Sequence, residues 1–373
     1  MKRSRFLRQG LALTALVSLL SLASCKDQAA TPAPGGGDAP APVAKAPEGG
    51  GGGFDAPRKA EGKLSVTLIT NNSADFWTAA EKGLEAAKTE LTDCDTGRMT
   101  PAGSSPTHAD QKKTFEDAVA KNPDGIAVTP IDGKEFASVI DDAIAKNIPV
   151  ICFDSDSETS KRLAYLGTNN YEAGKAAGEA ALKLLPNGGK FVAFVGNMSA
   201  QNAIDRYKGF QDATKGKIEM LQEPFQDQAD PLKAQRNVQD AITKYGDKIN
   251  GFLGIWAYDG PAILNAVESA KLLGKVKIIT FDGAPETLAG LEAKKVDAAV
   301  IQKPYEFGRL SAKLLYLINR KGLKAAIDEL KPELEKAGMK VDGNKIDTGV
   351  TTVTPENVAP FVENMKKLGL KST

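Results

Sequence analysis

The 373-residue chain is short of the residues that much catalytic and metal chemistry uses. It has one histidine, which leaves little to build a His-based zinc site or a His-dependent nucleophile triad. It has three cysteines, too few and odd in number for a disulfide-stapled scaffold. Neither sign of charge is in excess, with 48 Lys+Arg against 47 Asp+Glu. A protein for nucleic acid normally carries a clustered basic surplus, so none is expected as partner. A phosphate-cradling Gly-x4-Gly-Lys-Ser/Thr loop is absent, and Pro186-Asn187-Gly188-Gly189-Lys190 reads as a loop before a strand. No metal site and no cofactor are expected. Charged residues at 25% and hydrophobic residues at 42% exclude a disordered chain and a multispan membrane protein.

What is present is strongly segmented. Lys2, Arg3, Arg5 and Arg8 precede an apolar run from Leu11 to Leu22 that is too short for a comfortable membrane span. Leu22-Ala23-Ser24-Cys25 then resembles the lipobox of bacterial lipoproteins. The resemblance implies removal of residues 1–24 as a signal peptide and acylation of Cys25. More than one acyl chain on one residue gives stable anchoring. The expected place is outside the cytoplasm, attached to the cell envelope. Residues 25–62 are dominated by Ala, Pro and Gly and read as the lipid Cys followed by a flexible tether. Its reach as a coil is roughly 30–40 Å. Loss of the four basic residues of the signal leaves a mildly acidic mature chain.

From Lys63 onward strands and helices alternate. Strands are predicted at 64–70, 125–130, 148–154, 163–168, 191–195, 218–222, 251–255, 276–281 and 298–302. Helices are predicted from Phe76 to Leu91, from Phe136 to Lys146, and over 171–185, 202–214, 231–245, 260–273, 285–294 and 304–320. The pattern indicates an α/β protein with two doubly wound parallel-sheet lobes.

In open α/β sheets, ligands sit beyond the carboxyl ends of the strands. Here those ends read Thr70 through Trp77, Thr129-Pro130-Ile131-Asp132 and Phe153-Asp154-Ser155-Asp156 in the first half. In the second they read Val195-Gly196-Asn197, Trp256-Ala257-Tyr258-Asp259, Phe281-Asp282-Gly283 and Ile301-Gln302-Lys303-Pro304. Asp, Asn and Gln supply the acceptors and donors that sugar hydroxyls need. Aromatic rings suit the apolar C–H face of a sugar. A single Asp after a strand is usually a turn or a helix cap. It is their recurrence at seven strand ends that points to a site.

Four stretches carry a family resemblance: Asn122 to Pro130, Ile148 to Asp156, Gly167 to Gly174 and Thr280 to Gly283. Together they resemble the ribose/galactose-type periplasmic binding proteins, the receptors of ABC sugar importers. The resemblance covers nearly all of 63–373. It implies the type I fold, two lobes joined by a hinge of three crossings near Gly167–Asn170, Gln302–Pro304 and Asp347–Thr351. The first lobe is then 63–168 plus 304–347 and the second 169–303 plus 348–373. The stretch 321–345 looks longer than is typical. The implied function is capture of a monosaccharide, pentose or hexose, by a monomer that closes about its hinge and meets an ABC permease in the membrane. The implied ligand contacts are Phe76, Trp77, Thr129, Asp154, Tyr258, Asp282 and Gln302. Ser155 and Ile204 stand where the ribose receptor carries arginines, which weakens the implication of ribose itself. Asn202, one turn before Arg206, is the substitute offered here, and Trp256 is an additional aromatic.

Two other roles are compatible with these residues. The same fold can serve a signalling receptor that hands a sugar or furanosyl signal to a sensor kinase or chemoreceptor. A glycosidase could use Asp154 with Asp156 or Asp282 as a carboxylate pair, but nothing resembles an activated nucleophile, and no enzyme is expected. A sugar-responsive repressor would need an N-terminal DNA-binding helix pair, and that place holds the signal and tether. Cys94 and Cys152 are expected as buried or loop thiols. An oxidising compartment permits their pairing, although their strands are not neighbours in this fold. His108 falls in the loop-like stretch Pro101 to Asp110 and is expected on the surface.

Overall fold

A computed structural model describes residues 53–103 and 105–373. The expected signal peptide, Cys25 and the tether up to residue 52 lie outside the described residues. The body alternates strand and helix. The first set is β1 (Leu64–Ile69), α1 (Phe76–Glu90), β2 (Cys94–Met99), α2 (His108–Ala120), β3 (Gly125–Val128), α3 (Ala137–Ala145), β4 (Val150–Phe153) and β5 (Tyr165–Gly167). The second is α4 (Asn170–Leu184), β6 (Gly189–Val195), α5 (Gln201–Thr214), β7 (Ile218–Met220), β8 (Phe225–Gln226), α6 (Pro231–Tyr245), β9 (Gly251–Gly254), α7 (Asp259–Ser269), β10 (Lys277–Phe281), α8 (Pro285–Glu292) and β11 (Ala298–Ile301). The chain then adds α9 (Pro304–Lys321), α10 (Leu323–Lys336), β12 (Lys340–Asp342), β13 (Lys345–Asp347), β14 (Thr351–Val353) and α11 (Val358–Lys367).

These strands form two sheets. One runs β12-β13-β5-β4-β3-β1-β2 and the other β14-β11-β10-β9-β6-β7, with β8 beside the end of β6. Pairing is parallel except for β12 with β13 and β14 with β11. The chain passes between the sheets three times, from β5 into α4, from β11 into α9 and from β13 into β14. This is the two-lobed, doubly wound α/β architecture that the sequence implies. The central strands β3, β4, β9 and β11 are buried at every residue, as expected for sheets covered on both faces.

Each lobe also holds one very close helix pair. A Cβ on Gly83 of α1 would lie 1.8 Å from the Tyr305 carbonyl oxygen of α9, and one on Gly308 of α9 would lie 1.8 Å from that of Ala80. In the second lobe, Gly174 of α4 and Gly209 of α5 meet the backbones of Arg206 and Tyr171 in the same reciprocal way, at 2.1 Å each. Only glycine allows such backbone contact. The two pairs place α1 and α5, which both lead into the cleft between the sheets.

Several expectations need correction. The folded body begins before residue 63. Phe54 is buried in the first-lobe core, and its carbonyl accepts from Leu323 N at 2.7 Å. Arg58 and Lys59 donate backbone N–H groups to the Asn319 carbonyl, and Arg320 donates side-chain hydrogen bonds to the carbonyls of Lys59 and Gly62. One aromatic ring therefore ends the tether before Phe54 instead of at residue 62. Residues 94–99 form an edge strand. His108 opens α2, whose cap is a reciprocal Thr107–Asp110 box. Its ring sits edge-on to Phe136 at 5.5 Å and is only partly exposed. The long stretch after α9 folds as α10 and the β12–β13 hairpin, which widens the first sheet. Cys94 and Cys152 are buried free thiols, on β2 and β4 with β1 and β3 between them. Among the described residues no helix is long and apolar enough to cross a membrane.

Candidate functional site

The carboxyl ends of both sheets face one cleft. Asp154 follows β4 and Asp282 follows β10, and both adopt left-handed backbone (φ 58° and 62°). In each case the amide continues the sheet by one bond, Asp154 N to the Leu166 carbonyl at 3.2 Å and Asp282 N to the Val300 carbonyl at 3.0 Å. Asp tolerates this conformation better than most residues. The two carboxyl groups thus occupy equivalent places in the two lobes.

Between them lies a cavity. Eight of the nine residues singled out from the sequence line it: Phe76, Trp77, Asp154, Asn202, Trp256, Tyr258, Asp282 and Gln302. The ninth, Thr129, does not. Its hydroxyl donates to Asp154 Oδ2 at 3.1 Å and accepts from Ser155 N, so it fixes the Asp154 carboxylate from behind. Asn71, Asn72, Ala74, Arg206 and Ala257 complete the lining. Asn71 and Asn72 follow Thr70 just past the end of β1, and that position was their signal.

The polar groups form one network across the lobes. Asn202 Nδ2 donates to Asp154 Oδ2 at 3.1 Å, and its Oδ1 accepts from Trp256 Nε1 at 3.3 Å. Gln302 donates from both its backbone N and its Nε2 to Asp282, at 3.2 Å. Arg206 is almost wholly buried. Its Nε donates to Asn170 Oδ1 and its Nη1 to the Ile255 carbonyl, both at 2.9 Å. Its guanidinium stacks over Phe281 at 4.6 Å and lies 3.9 Å from Asp282. Burial raises Asp154 above the ordinary carboxylate range, with Arg206, Thr129 and Asn202 opposing it. Burial likewise pushes Asp282 up to about 6, against the attraction of Arg206.

Three buried polar atoms of the lining have no partner: Asn71 Oδ1, Arg206 Nη2 and Gln302 Oε1. One is a donor and two are acceptors. A buried orphan costs about 1–3 kcal/mol, and three around one cavity suit a ligand that both donates and accepts.

The aromatic walls are fixed by their own bonds. Trp77 donates its indole N–H to Asn72 Oδ1 at 3.0 Å and packs edge-on against Phe76 and Phe153. Tyr258 donates its hydroxyl to Asp227 Oδ1 at 2.6 Å. Asp259 Oδ2 accepts the amides of Ile255 and Trp256 and so shapes the loop that presents Trp256 and Tyr258. Burial pushes Asp227 up to about 7, and burial together with the Asp227 charge raises Asp259 well above its usual range. Asp227 was not apparent from the sequence, and Asp259 was read only as one of the polar residues at its strand end. Among the described residues no cluster of His, Cys, Asp and Glu is arranged to hold a metal ion.

Comparison with known proteins agrees with this geometry. The periplasmic binding protein domain model matches residues 65–322. The ribose import binding protein of Bacillus subtilis is 23% identical over 278 residues, covering 73% of this chain and 87% of that protein. The D-allose-binding periplasmic protein of Escherichia coli is 26% identical over 279 residues, covering 71% and 87%. Among solved structures, the glucose-galactose binding protein of Geobacillus stearothermophilus superposes with a TM-score of 0.69 at 27% identity, covering 80% of this chain and 99% of that one. An ABC transporter solute binding protein of Agrobacterium vitis with bound D-fucose gives 0.71 at 25% identity, covering 80% and 99%. The chain therefore belongs to the periplasmic binding protein family, and its relatives there are sugar-binding receptors of the type I fold.

Proposed function

We propose that the protein is the lipid-anchored substrate-binding protein of an ABC sugar importer, and that it holds a pentose or hexose monosaccharide in the cavity between its lobes. The observation that carries this reading is the lining itself. Two carboxylates, a guanidinium and four amides surround the cavity beside four aromatic residues, and three of their polar atoms await partners. A sugar ring offers hydroxyls that donate to Asp154 and Asp282 and accept from Arg206, while its C–H face meets an aromatic wall.

The mechanism is hinge closure. Asp154 belongs to the first lobe and Asn202 to the second, so their hydrogen bond is a cross-cleft contact that an entering hydroxyl would replace. The closed lobes then present one joint surface to a permease, and Cys25 with the tether keeps the monomer at the membrane. The relatives' names include receptors for ribose, allose, glucose and galactose, which supports the ligand class without selecting one sugar. The test is a calorimetric titration of the refolded, ligand-free protein with pentoses and hexoses. Binding of one monosaccharide at one site per chain is expected. Folded protein that binds none of them overturns the proposal. For the anchor, Cys25→Ser should move the protein from the membrane to the soluble fraction with sugar affinity unchanged.

A further inference from the structure

Beyond the cavity, residues 370–373 make contacts that a surface tail does not need. After α11 the chain turns at Gly369 (φ 68°) and Leu370 enters the second-lobe core. Ser372 and Thr373 follow and are 7% and 6% exposed despite their hydroxyls. Thr373 N donates to the Gly283 carbonyl at 3.1 Å, and Gly283 N donates back to the Thr373 carbonyl at 3.0 Å. Gly283 N also reaches Thr373 Oγ1 at 3.1 Å. A Cβ on residue 283 would lie 2.6 Å from that hydroxyl, so glycine is what admits the pairing. Gly283 is the residue after Asp282, whose left-handed backbone aims its carboxylate into the cavity.

Ser372 reaches the other way. Its hydroxyl donates to the Asp75 carbonyl at 3.4 Å. Asp75 belongs to the first lobe and stands immediately before Phe76. Ser372 and Thr373 therefore connect the loop that carries an aromatic wall in one lobe with the loop that carries a carboxylate in the other. They also line a surface pocket that shares Phe76 and Tyr258 with the ligand cavity.

We propose that residues 370–373 are a clasp: Thr373 positions Asp282 through Gly283, and Ser372 fastens the lobes across one mouth of the cleft, so that a bound ligand leaves by that side only when the clasp lets go. This rests on the sugar-site reading for its ligand and on the hydrogen bonds alone for the clasp. Opening breaks the Ser372 contact, because its two ends belong to different lobes, while the Thr373–Gly283 pair stays within the second lobe.

The test compares the full chain with a chain ending at Leu370, with Thr373→Pro, which lacks both the N–H that donates to the Gly283 carbonyl and the hydroxyl that accepts from Gly283 N, and with Ser372→Ala. Two readouts are needed. The first is hydrogen exchange without ligand: the Gly283 amide should exchange at least about tenfold faster in the shortened chain and in Thr373→Pro, and as in the parent in Ser372→Ala. The second is stopped-flow tryptophan fluorescence with D-ribose, D-arabinose and D-galactose as probes. For whichever binds, the off-rate should rise about tenfold in the shortened chain and about threefold in Ser372→Ala, with the on-rate unchanged or faster. Melting temperature checks folding, and Thr373→Pro decides the exchange result if the shortened chain does not fold. Gly283 exchange at the parent rate in Thr373→Pro, or parent off-rates in Ser372→Ala, overturns the clasp. If none of the three sugars changes the parent's fluorescence, the calorimetric panel decides the sugar reading and supplies the ligand for the off-rates, while the exchange result still decides the Thr373–Gly283 part of the clasp.

Discussion

Asp282→Asn separates the stability of the site from its function. Asp282 is buried, and burial raises it from about 3.8 to about 6. Keeping it ionised at pH 7.5 therefore costs the ligand-free fold on the order of 3 kcal/mol. Asparagine removes that cost, keeps an oxygen for the Gln302 donors and tolerates the left-handed backbone. It also gives up the attraction of Arg206 at 3.9 Å, so the two changes partly offset. The ligand-free melting temperature at pH 7.5 should hold or rise by a few degrees. Affinity should move the other way. Loss of a charged acceptor for a sugar hydroxyl costs about 1.5–3 kcal/mol, or roughly ten- to 150-fold in Kd. The pH dependence follows from the raised value. Between about pH 4 and 6 the folded chain holds a proton here that the unfolded chain has lost, so this group's contribution to stability is full at the acid end and is lost as pH rises through 6. A donating hydroxyl favours the carboxylate, so sugar binding releases the proton, and affinity falls as pH is lowered through 6. In Asp282→Asn that share of the acid-side loss should disappear. Calorimetric titrations of both proteins at pH 5, 6 and 7.5 check all of this. A variant that binds as tightly as the parent at pH 7.5 refutes the reasoning, as does one whose ligand-free form is strongly destabilised.

Other expectations concern the frame around the site. Gly308→Ala puts a methyl group 1.8 Å from the Ala80 carbonyl oxygen. The α1–α9 pair must separate, at a cost of about 3 kcal/mol by chemical denaturation. Gly174→Ala does the same to α4 and α5 and displaces Arg206, so it should lower sugar affinity as well as stability. In a Cys25→Ser chain neither remaining thiol should react with Ellman's reagent until denaturant is added. Cys94 is pushed up to about 11 by burial, and wholly buried Cys152 is raised further. Rapid labelling of the native chain would contradict their placement. Both tryptophans line the cavity, so intrinsic fluorescence should change on binding, and Trp256→Phe should remove much of the change.

Most of the fold was legible because strands buried on both faces are written as unbroken apolar runs, as in Ile126-Ala127-Val128 and Phe191 to Val195. What escaped was structure whose buried face is not apolar. The edge strand Cys94-Asp95-Thr96-Gly97-Arg98-Met99 is half exposed and shows no such run. Helix α2 buries Gln111, Phe115 and Ala118. Gln111 does a core residue's work by polar means, donating to the Thr70 and Thr129 carbonyls and accepting from Ile131 N. The site was legible as a set of strand ends, because topology brings those ends to one cleft. Direction was less so: Thr129 occupies the same kind of position as Asp154 but turns its hydroxyl to that carboxylate instead of the cavity. A buried support such as Asp227, which accepts from Tyr258 on a different loop, depends on a loop folding back, which no local pattern encodes. Phe54 was hidden by its setting in a Gly-rich segment.

The central claim is a monosaccharide bound between the lobes, and its most direct test uses protein purified from its own cells. Native mass spectrometry before and after denaturation would weigh any molecule that leaves with unfolding. A single released pentose or hexose, which rebinds the refolded chain at one site per molecule and loses that binding in an Asp154→Ala, Asp282→Ala double variant, is the predicted result. A released compound that is not a sugar, or a sugar that rebinds the double variant as tightly as the parent, would contradict the account.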